Sequence, residues 1–320
     1  MSSKIVVVVP TVRPESYKTF REAWDLHFKW WDCDLVTVWD GDAPQLHLND
    51  RPLGAARDLV DEGDLDLFDY CRTDAVRNLG SYFAAKNLDF DYLVTLDDDV
   101  LPITDDPKYK DPIGDHLRVL HTKVPGSWMN TLMGVGVEFP RGTPYQVRAE
   151  NTVHISHGLW TGTLDWDGIT QHYLIPQAVG EPEKYRKREF YIGPVPSGIH
   201  FSFCGMHVAV TREALPLLMY CPQGPTVGYH RWGDIWMGNH LVEECAKRKW
   251  SIYTGASVIN HSRASNVYKN LDAENCNGGY EINETLYKTP DDQLPPFFAE
   301  YTRKRLKYQT RMTELLGLPA

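Results

Sequence analysis

Residues 4–10, KIVVVVP, form an unbroken apolar run closed by a proline, the pattern of a strand buried on both faces. From Pro14 to Trp31 the apolar positions Phe20, Trp24, His27, Phe28 and Trp31 keep close to helical spacing. DLVTVWDGD (34–42) then predicts a second strand ending in Asp40-Gly41-Asp42. The helical DAVRNLGSYFAAKNL (74–88) leads into the strand YLVTL (92–96), which runs straight into three consecutive carboxylates, Asp97, Asp98 and Asp99. This alternation predicts an α/β fold with a mainly parallel central sheet flanked by helices. In such sheets ligands bind beyond the carboxyl ends of the strands. The chain places Thr11 and Arg13, Asp40 and Asp42, and the Asp97–Asp99 triplet at those ends.

Beyond residue 101 prolines and glycines break the rhythm and no clean boundary can be drawn. The expected organisation is therefore a single domain over 1–290, with a nucleotide-binding half (1–100) and a sugar or acceptor half (101–290), followed by a helical tail (291–320). In the tail Phe298, Tyr301, Tyr308, Met312 and Leu315 share one stripe. Its basic residues Arg303, Lys304, Lys307 and Arg311 read as a solvated face, with an oligomer contact as the alternative.

Composition narrows the function classes. At 320 residues and 42% hydrophobic the chain can build a sizeable core, and 43 acidic against 33 basic residues (net −10) disfavour nucleic acid and anionic membranes as partners. A phosphate-bearing ligand would need a metal or a local cluster of arginines. Six scattered cysteines without a C-x-x-C pair fit reduced thiols, and no stretch has the length of a signal-peptide core or a membrane span, so a cytoplasmic protein is expected.

An acidic triplet is ordinarily a solvated loop, but here it ends an apolar strand. Adjacent carboxylates repel unless solvent, hydrogen bonds or a cation offset the repulsion, and a hard divalent ion does so while leaving positions open to phosphates. From an extended chain Asp97 and Asp99 point one way and Asp98 the other. A D-x-D at the end of a central strand, holding Mn²⁺ or Mg²⁺ and a nucleotide diphosphate, resembles the glycosyltransferase A-type fold. Downstream follow a glycine loop with Gly205, an acidic helix start at Asp234 and a late histidine, His261. Singly these are a turn glycine, a helix cap and a surface histidine; in this order they suit a metal-dependent nucleotide-sugar site, with Asp97, Asp99 and His261 as metal ligands.

VVVPTVR, VWDGD, TLDDDV, RGTPYQVR, SHGLW, FCGMHVA, GDIWMG and HSRASN together resemble the reversibly glycosylated polypeptides, the family that includes UDP-arabinopyranose mutase. The similarity runs from Ile5 to Leu271. It implies interconversion of UDP-L-arabinopyranose and UDP-L-arabinofuranose with a divalent metal and without flavin, and an oligomeric state shared with itself or a family member. It also implies self-glycosylation at Arg141, with Arg148 as the second matching arginine. From the residues alone, covalent acceptor and electrostatic clamp stay equally open for Arg141, because a guanidinium is a poor nucleophile.

Under this resemblance Arg77 and the metal neutralise the UDP leaving group, Asp98 and Gly205 border the nucleotide, and Asp234 orients or deprotonates a sugar hydroxyl. His154 and His157 precede GLW in a block that could line the sugar pocket, although H-x-x-H is more often structural. Most of Trp160, Trp166, Trp232 and Trp236 are expected in the core. Two departures affect the sugar: Gly233-Asp234 stands where the family commonly has two acidic residues, and His207 where asparagine is usual. A transferase acting on an external acceptor, and a non-catalytic subunit that keeps the fold, are the alternatives.

Overall fold

The computed structural model describes residues 3–68, 73–128, 141–163, 165–173, 190–224, 227–262, 266–286, 289 and 293–319. Cys71 and residues 263–265 of the HSRASN motif lie outside them; Cys33, Cys204, Cys221, Cys245 and Cys276 are free thiols. Strand β1 (Ile5–Thr11), helix α1 (Pro14–Trp30) and β2 (Asp34–Trp39) open the chain, followed by the hairpin β3 (Gln45–Leu48) and β4 (Arg51–Ala55). Next come α2 (Arg77–Asn87), β5 (Tyr92–Leu96), β6 (Val100–Leu101), α3 (Pro112–Val119) and β7 (Lys123–Pro125). The second half contributes β8 (Glu150–Gly162), β9 (Gly193–Pro194), β10 (His207–Thr211), α4 (Gly233–Lys247), β11 (Trp250–His261), α5 (Val267–Glu274), α6 (Gly279–Leu286) and α7 (Pro296–Leu315).

Among the described residues one eleven-stranded sheet runs β4-β3-β2-β1-β5-β10-β8-β11-β6, with β7 added on β8 and β9 on β11. Its centre, β2-β1-β5, is parallel, as the strand-helix alternation requires, and β8 and β11 are parallel too. β10 enters antiparallel between β5 and β8, and β3, β4, β6, β7 and β9 also join antiparallel, so the sheet as a whole is mixed. This is an α/β arrangement with a parallel centre, helices on both faces and a C-terminal helix.

The apolar run of β1 divides its side chains between two cores because successive residues point to opposite faces. Ile5, Val7 and Val9 meet Tyr17, Phe20, Trp24 and Phe28 of α1; Val6 and Val8 meet Leu79, Tyr82 and Phe83 of α2 together with Tyr308 and Met312 of α7. No helix among the described residues is long and apolar enough to cross a membrane.

The tail helix corrects one expectation. Three of the four basic residues named above pair within the chain, although Arg303 keeps 52% of its side chain exposed. Arg311 bonds Asp61 (2.5 Å) and Asp64 (2.8 Å), while Arg303 and Lys307 pair with Asp66, all on the short helical segment around Glu62–Phe68. Surface pairs of this kind add little stability, so they orient the helix. Burial of Phe298, Tyr301, Tyr308 and Met312, worth roughly 1.5–3 kcal/mol per large apolar side chain, holds it down.

Candidate active site

The carboxyl ends of β1, β2, β5 and β11 and the starts of α2 and α4 surround a cavity of about 1010 Å³. Thr11, Arg13, Asp40, Arg77, Asp97, Asp98, Asp99, Asp234 and His261, drawn from six separated stretches of sequence, all line it. Nine Asp and Glu against four Arg and Lys border it among the described residues, so an anionic ligand needs help from a cation here.

The three carboxylates of the triplet take three different partners. Asp98 is buried and points back toward β1, where Thr11 Oγ1 donates to it at 2.6 Å and Arg13 pairs with both its oxygens. Burial pushes its carboxyl up, against the pull of Arg13 and Thr11. Arg13 Nη2 also lies 3.3 Å from Asp99 Oδ2. Thr11, Arg13 and Asp98 therefore brace the triplet, and all three still line the cavity. Asp97 pairs with the buried guanidinium of Arg77 rather than with His261.

Asp99 is held by the edge pairing of β6 with β11, in which Val100 lies opposite His261 and Ser262 N donates to the Asp99 carbonyl at 2.9 Å. His261 Nε2 then faces Asp99 Oδ1 at 3.9 Å. His261 Nδ1 sits 2.8 Å from the Thr163 carbonyl, which can only accept, so Nδ1 carries the proton and Nε2 presents its lone pair. Two acceptors facing each other beyond hydrogen-bond range suit a cation, and an imidazole with a carboxylate suits Mn²⁺ or Mg²⁺. No cluster of three His, Cys, Asp or Glu ligands occurs among the described residues, which leaves the other positions of such an ion to water and phosphate oxygens.

Arg77 organises the opposite wall. Its guanidinium bonds the Gly205 carbonyl, the Asp74 carbonyl (3.0 Å) and Asp97, and lies 4.6 Å from the centre of the Tyr220 ring. A Cβ on Gly205 would run into that ring and stand 3.0 Å from Arg77 Nη1, so only glycine fits. Gly205 N donates to Asp234 Oδ2 at 2.8 Å, and Ile235 N donates to Oδ1 at 2.9 Å. Burial first, then the nearby Asp74, push the Asp234 carboxyl up to about 7. Burial raises the Asp74 carboxyl as well.

His157 and Gly205 do not line the cavity; they support its wall from behind. His157 Nε2 accepts from Cys204 N at 3.2 Å and Nδ1 donates to Thr254 Oγ1 at 3.0 Å, and burial pushes the imidazole down to about 4. His154 is bonded to Thr211 Oγ1 at 2.8 Å. Trp236 is in the core as expected; Trp232 is buried but also borders the cavity, as do Trp160 and Trp166. Asp42 is exposed and does not border the cavity.

Arg141, expected as glycosylated acceptor or electrostatic clamp, and Arg148, expected at the diphosphate or sugar, do not line the cavity. Arg141 is exposed, and Arg148 donates to the Thr143 carbonyl and lies over the Tyr145 ring. Both precede β8, whose start pairs with β7, whereas the cavity borders its far end at Trp160, about 30 Å away along the strand.

The sequence reading missed Asp74, Asp165, Arg231, Lys269 and Glu274, all in the cavity wall. Arg231 adopts φ +69° and pairs with Glu274 (3.0 Å) and Asp165 (3.7 Å). Buried Glu274 also accepts from Gly168 N (2.6 Å) and Tyr280 Oη (2.5 Å), tying the 166–173 segment to α5. Asp74 and Arg231 each lie three residues before a residue already singled out, a faint signal; Glu274 and Lys269 sit on an ordinary amphipathic helix and gave none.

The family model described as "Reversibly glycosylated polypeptide" matches residues 1–287. UDP-arabinopyranose mutase 3 of Arabidopsis thaliana is 29% identical over 317 residues, covering 94% of this chain and 79% of that protein. UDP-arabinopyranose mutase 1 of Oryza sativa subsp. japonica is 29% identical over 299 residues, covering 86% and 74%. Among solved structures, glucosyl-3-phosphoglycerate synthase from Mycobacterium tuberculosis with Mn²⁺, UDP-glucose and phosphoglyceric acid aligns over 99% of this chain and 81% of that one. Its 12% identity and TM-score of 0.40 are too low to carry any conclusion about ligand or reaction. With a family model matched over nine-tenths of its length, the chain belongs to the reversibly glycosylated polypeptides.

Proposed function

We propose that this protein is a UDP-L-arabinopyranose mutase, interconverting UDP-L-arabinopyranose and UDP-L-arabinofuranose with a divalent metal and without flavin. The reading rests on the named activity of the relatives, and the observation that carries it is His261 Nε2 facing Asp99 Oδ1 across 3.9 Å at the mouth of a cavity with Arg13 and Arg77. Asp99 and His261 would hold Mn²⁺ or Mg²⁺, which when bound supplies positive charge to the diphosphate as the anomeric C–O bond breaks. Asp97 is a further candidate ligand if it leaves Arg77. Asp40 borders the uridine side, where its Oδ1 accepts from Gly41 N at 2.8 Å and fixes the turn after β2. Buried Arg77 cannot be neutralised at any working pH and keeps a fixed positive charge in the wall.

Asp234, held by two backbone N–H groups and raised toward neutrality, can exchange a proton with a sugar hydroxyl. In this reading ring exchange takes place in the cavity, which Arg141 does not line. Incubation with UDP-arabinopyranose and Mn²⁺ alone should yield the furanose form on chromatography; its absence at saturating substrate sinks the mutase reading. A transferase to an external acceptor is the second reading, favoured by a volume at the upper end for a small-molecule site.

A further inference from the structure

We propose that Asp74 and Asp234 act as one carboxylic acid and one carboxylate that exchange protons with the two competing ring oxygens of the sugar, an inference that rests on the mutase reading. The two residues reach the same cavity from different elements, Asp74 from the turn that heads α2 and Asp234 from the first turn of α4. They are brought together by Gly233. A Cβ built there would lie 2.7 Å from both carboxylate oxygens of Asp74, so the Asp74 carboxylate rests against the backbone immediately before Asp234.

Asp234 has two backbone donors, whereas no side chain among the described residues donates to the Asp74 carboxylate. The charged groups facing the pair are Arg77, Asp97 and Arg231 on the Asp74 side, and Arg77 and Asp165 on the Asp234 side. Burial raises both carboxyls, and the nearby Asp74 raises Asp234 further, which favours a proton held on one of the two.

The chemistry requires such a pair. In a pyranose the ring closes through O5 and in a furanose through O4. Once the C1–O(phosphate) bond has broken and left C1 as an oxocarbenium ion, O4 closes on C1 with its lone pair and loses its proton to the carboxylate. The C1–O5 bond then breaks with its electron pair kept by O5, which takes the proton of the carboxylic acid, and a diphosphate oxygen bonds again to C1. No net proton and no oxidant are consumed, and the pair ends with its proton on the other member, set for the reverse reaction.

The test compares wild type with Asp74→Asn, using UDP-arabinopyranose carrying ¹⁸O in the bridging anomeric position. Asp74→Asn should bind UDP with Mn²⁺ within about twofold of wild type and still scramble the ¹⁸O label, because C1–O(phosphate) cleavage does not use Asp74. Furanose formation should fall by about 100-fold or more, the usual size of a lost acid or base. Asp74→Gly should regain furanose formation, and not merely melting temperature, when formate is added, which a structural role would not produce. Wild-type furanose formation in Asp74→Asn, or loss of label scrambling and ring exchange together, overturns this proposal alone. A wild-type protein that scrambles label but forms no furanose overturns the mutase reading, and this proposal with it.

Discussion

His261 presents an unprotonated Nε2 to Asp99 Oδ1 at 3.9 Å because the Thr163 carbonyl holds the proton on Nδ1. In the proposed site this pair would receive the cation, and it cannot hydrogen-bond to itself while the imidazole is neutral. His261→Ala should therefore remove most of the Mn²⁺-dependent gain in UDP affinity, by about 10–100-fold or more, given that even the residues that only orient metal ligands cost that much. Calorimetry with Mn²⁺ and again with EDTA reads this directly. Equal tightening by Mn²⁺ in variant and wild type would remove His261 from the metal site.

The brace formed by Thr11, Arg13 and Asp98 predicts a cost in stability. Asp98→Ala leaves the Thr11 hydroxyl and one edge of Arg13 without their acceptor. Arg13 keeps 38% of its side chain exposed and can turn to water, so the loss should be about 1–3 kcal/mol and not the 3–5 of a fully buried pair. Urea denaturation measures it, and an unchanged midpoint would mean that the brace adds nothing.

Gly205→Ala tests the close approach of the glycine loop to Arg77. The added methyl meets the Tyr220 ring and the guanidinium, and overpacking of this kind costs roughly 1–3 kcal/mol. Because the Gly205 N–H also holds Asp234, the variant should lose activity beyond what its lower melting temperature explains. Full activity in a folded Gly205→Ala protein would show that the loop yields without moving Asp234.

Buried neutral histidines give the fold an acid-side weakness. Burial pushes His157 down to about 4 and His207 to about 3, and lowers His116 as well. The unfolded chain, with histidines near 6.5, takes up protons first, so this stability is fully present above about pH 6.5 and is lost as pH falls toward the folded values. Between pH 6.5 and 5 a histidine such as His157 should forfeit about 2 kcal/mol. Melting temperature should fall steeply over that range, and less steeply in His157→Gln; identical slopes would assign the loss elsewhere.

The parallel centre of the sheet and the triplet at its edge were legible in the sequence because a β-branched run and a strand that ends in Asp97 are local patterns. So were the helices over Pro14–Trp30 and Pro296–Leu315, whose apolar stripes follow a fixed period. Arg13, Arg77, Asp99, Asp234 and His261 could be named because motif order survives in one dimension. Their division of labour could not. Asp97, Asp98 and Asp99 look equivalent on paper, yet the turn after β5 sends one to Arg77, one to Arg13 and one toward His261.

Pairings made across long stretches of chain decided the rest. The register of β6 on β11 set His261 beside Asp99, and the packing of Gly233 against Asp74 gave Asp234 a second carboxylate that no spacing announced. The direction of β8 carried Arg141 and Arg148 to the end of the sheet away from the cavity, although their motif suggested the site. Local sequence set which residues end strands and open helices, because hydrophobic period and turn chemistry act over a few residues. Which charges meet was left to the tertiary fold, because burial and partner, not residue type, determine what a carboxylate or an imidazole can do.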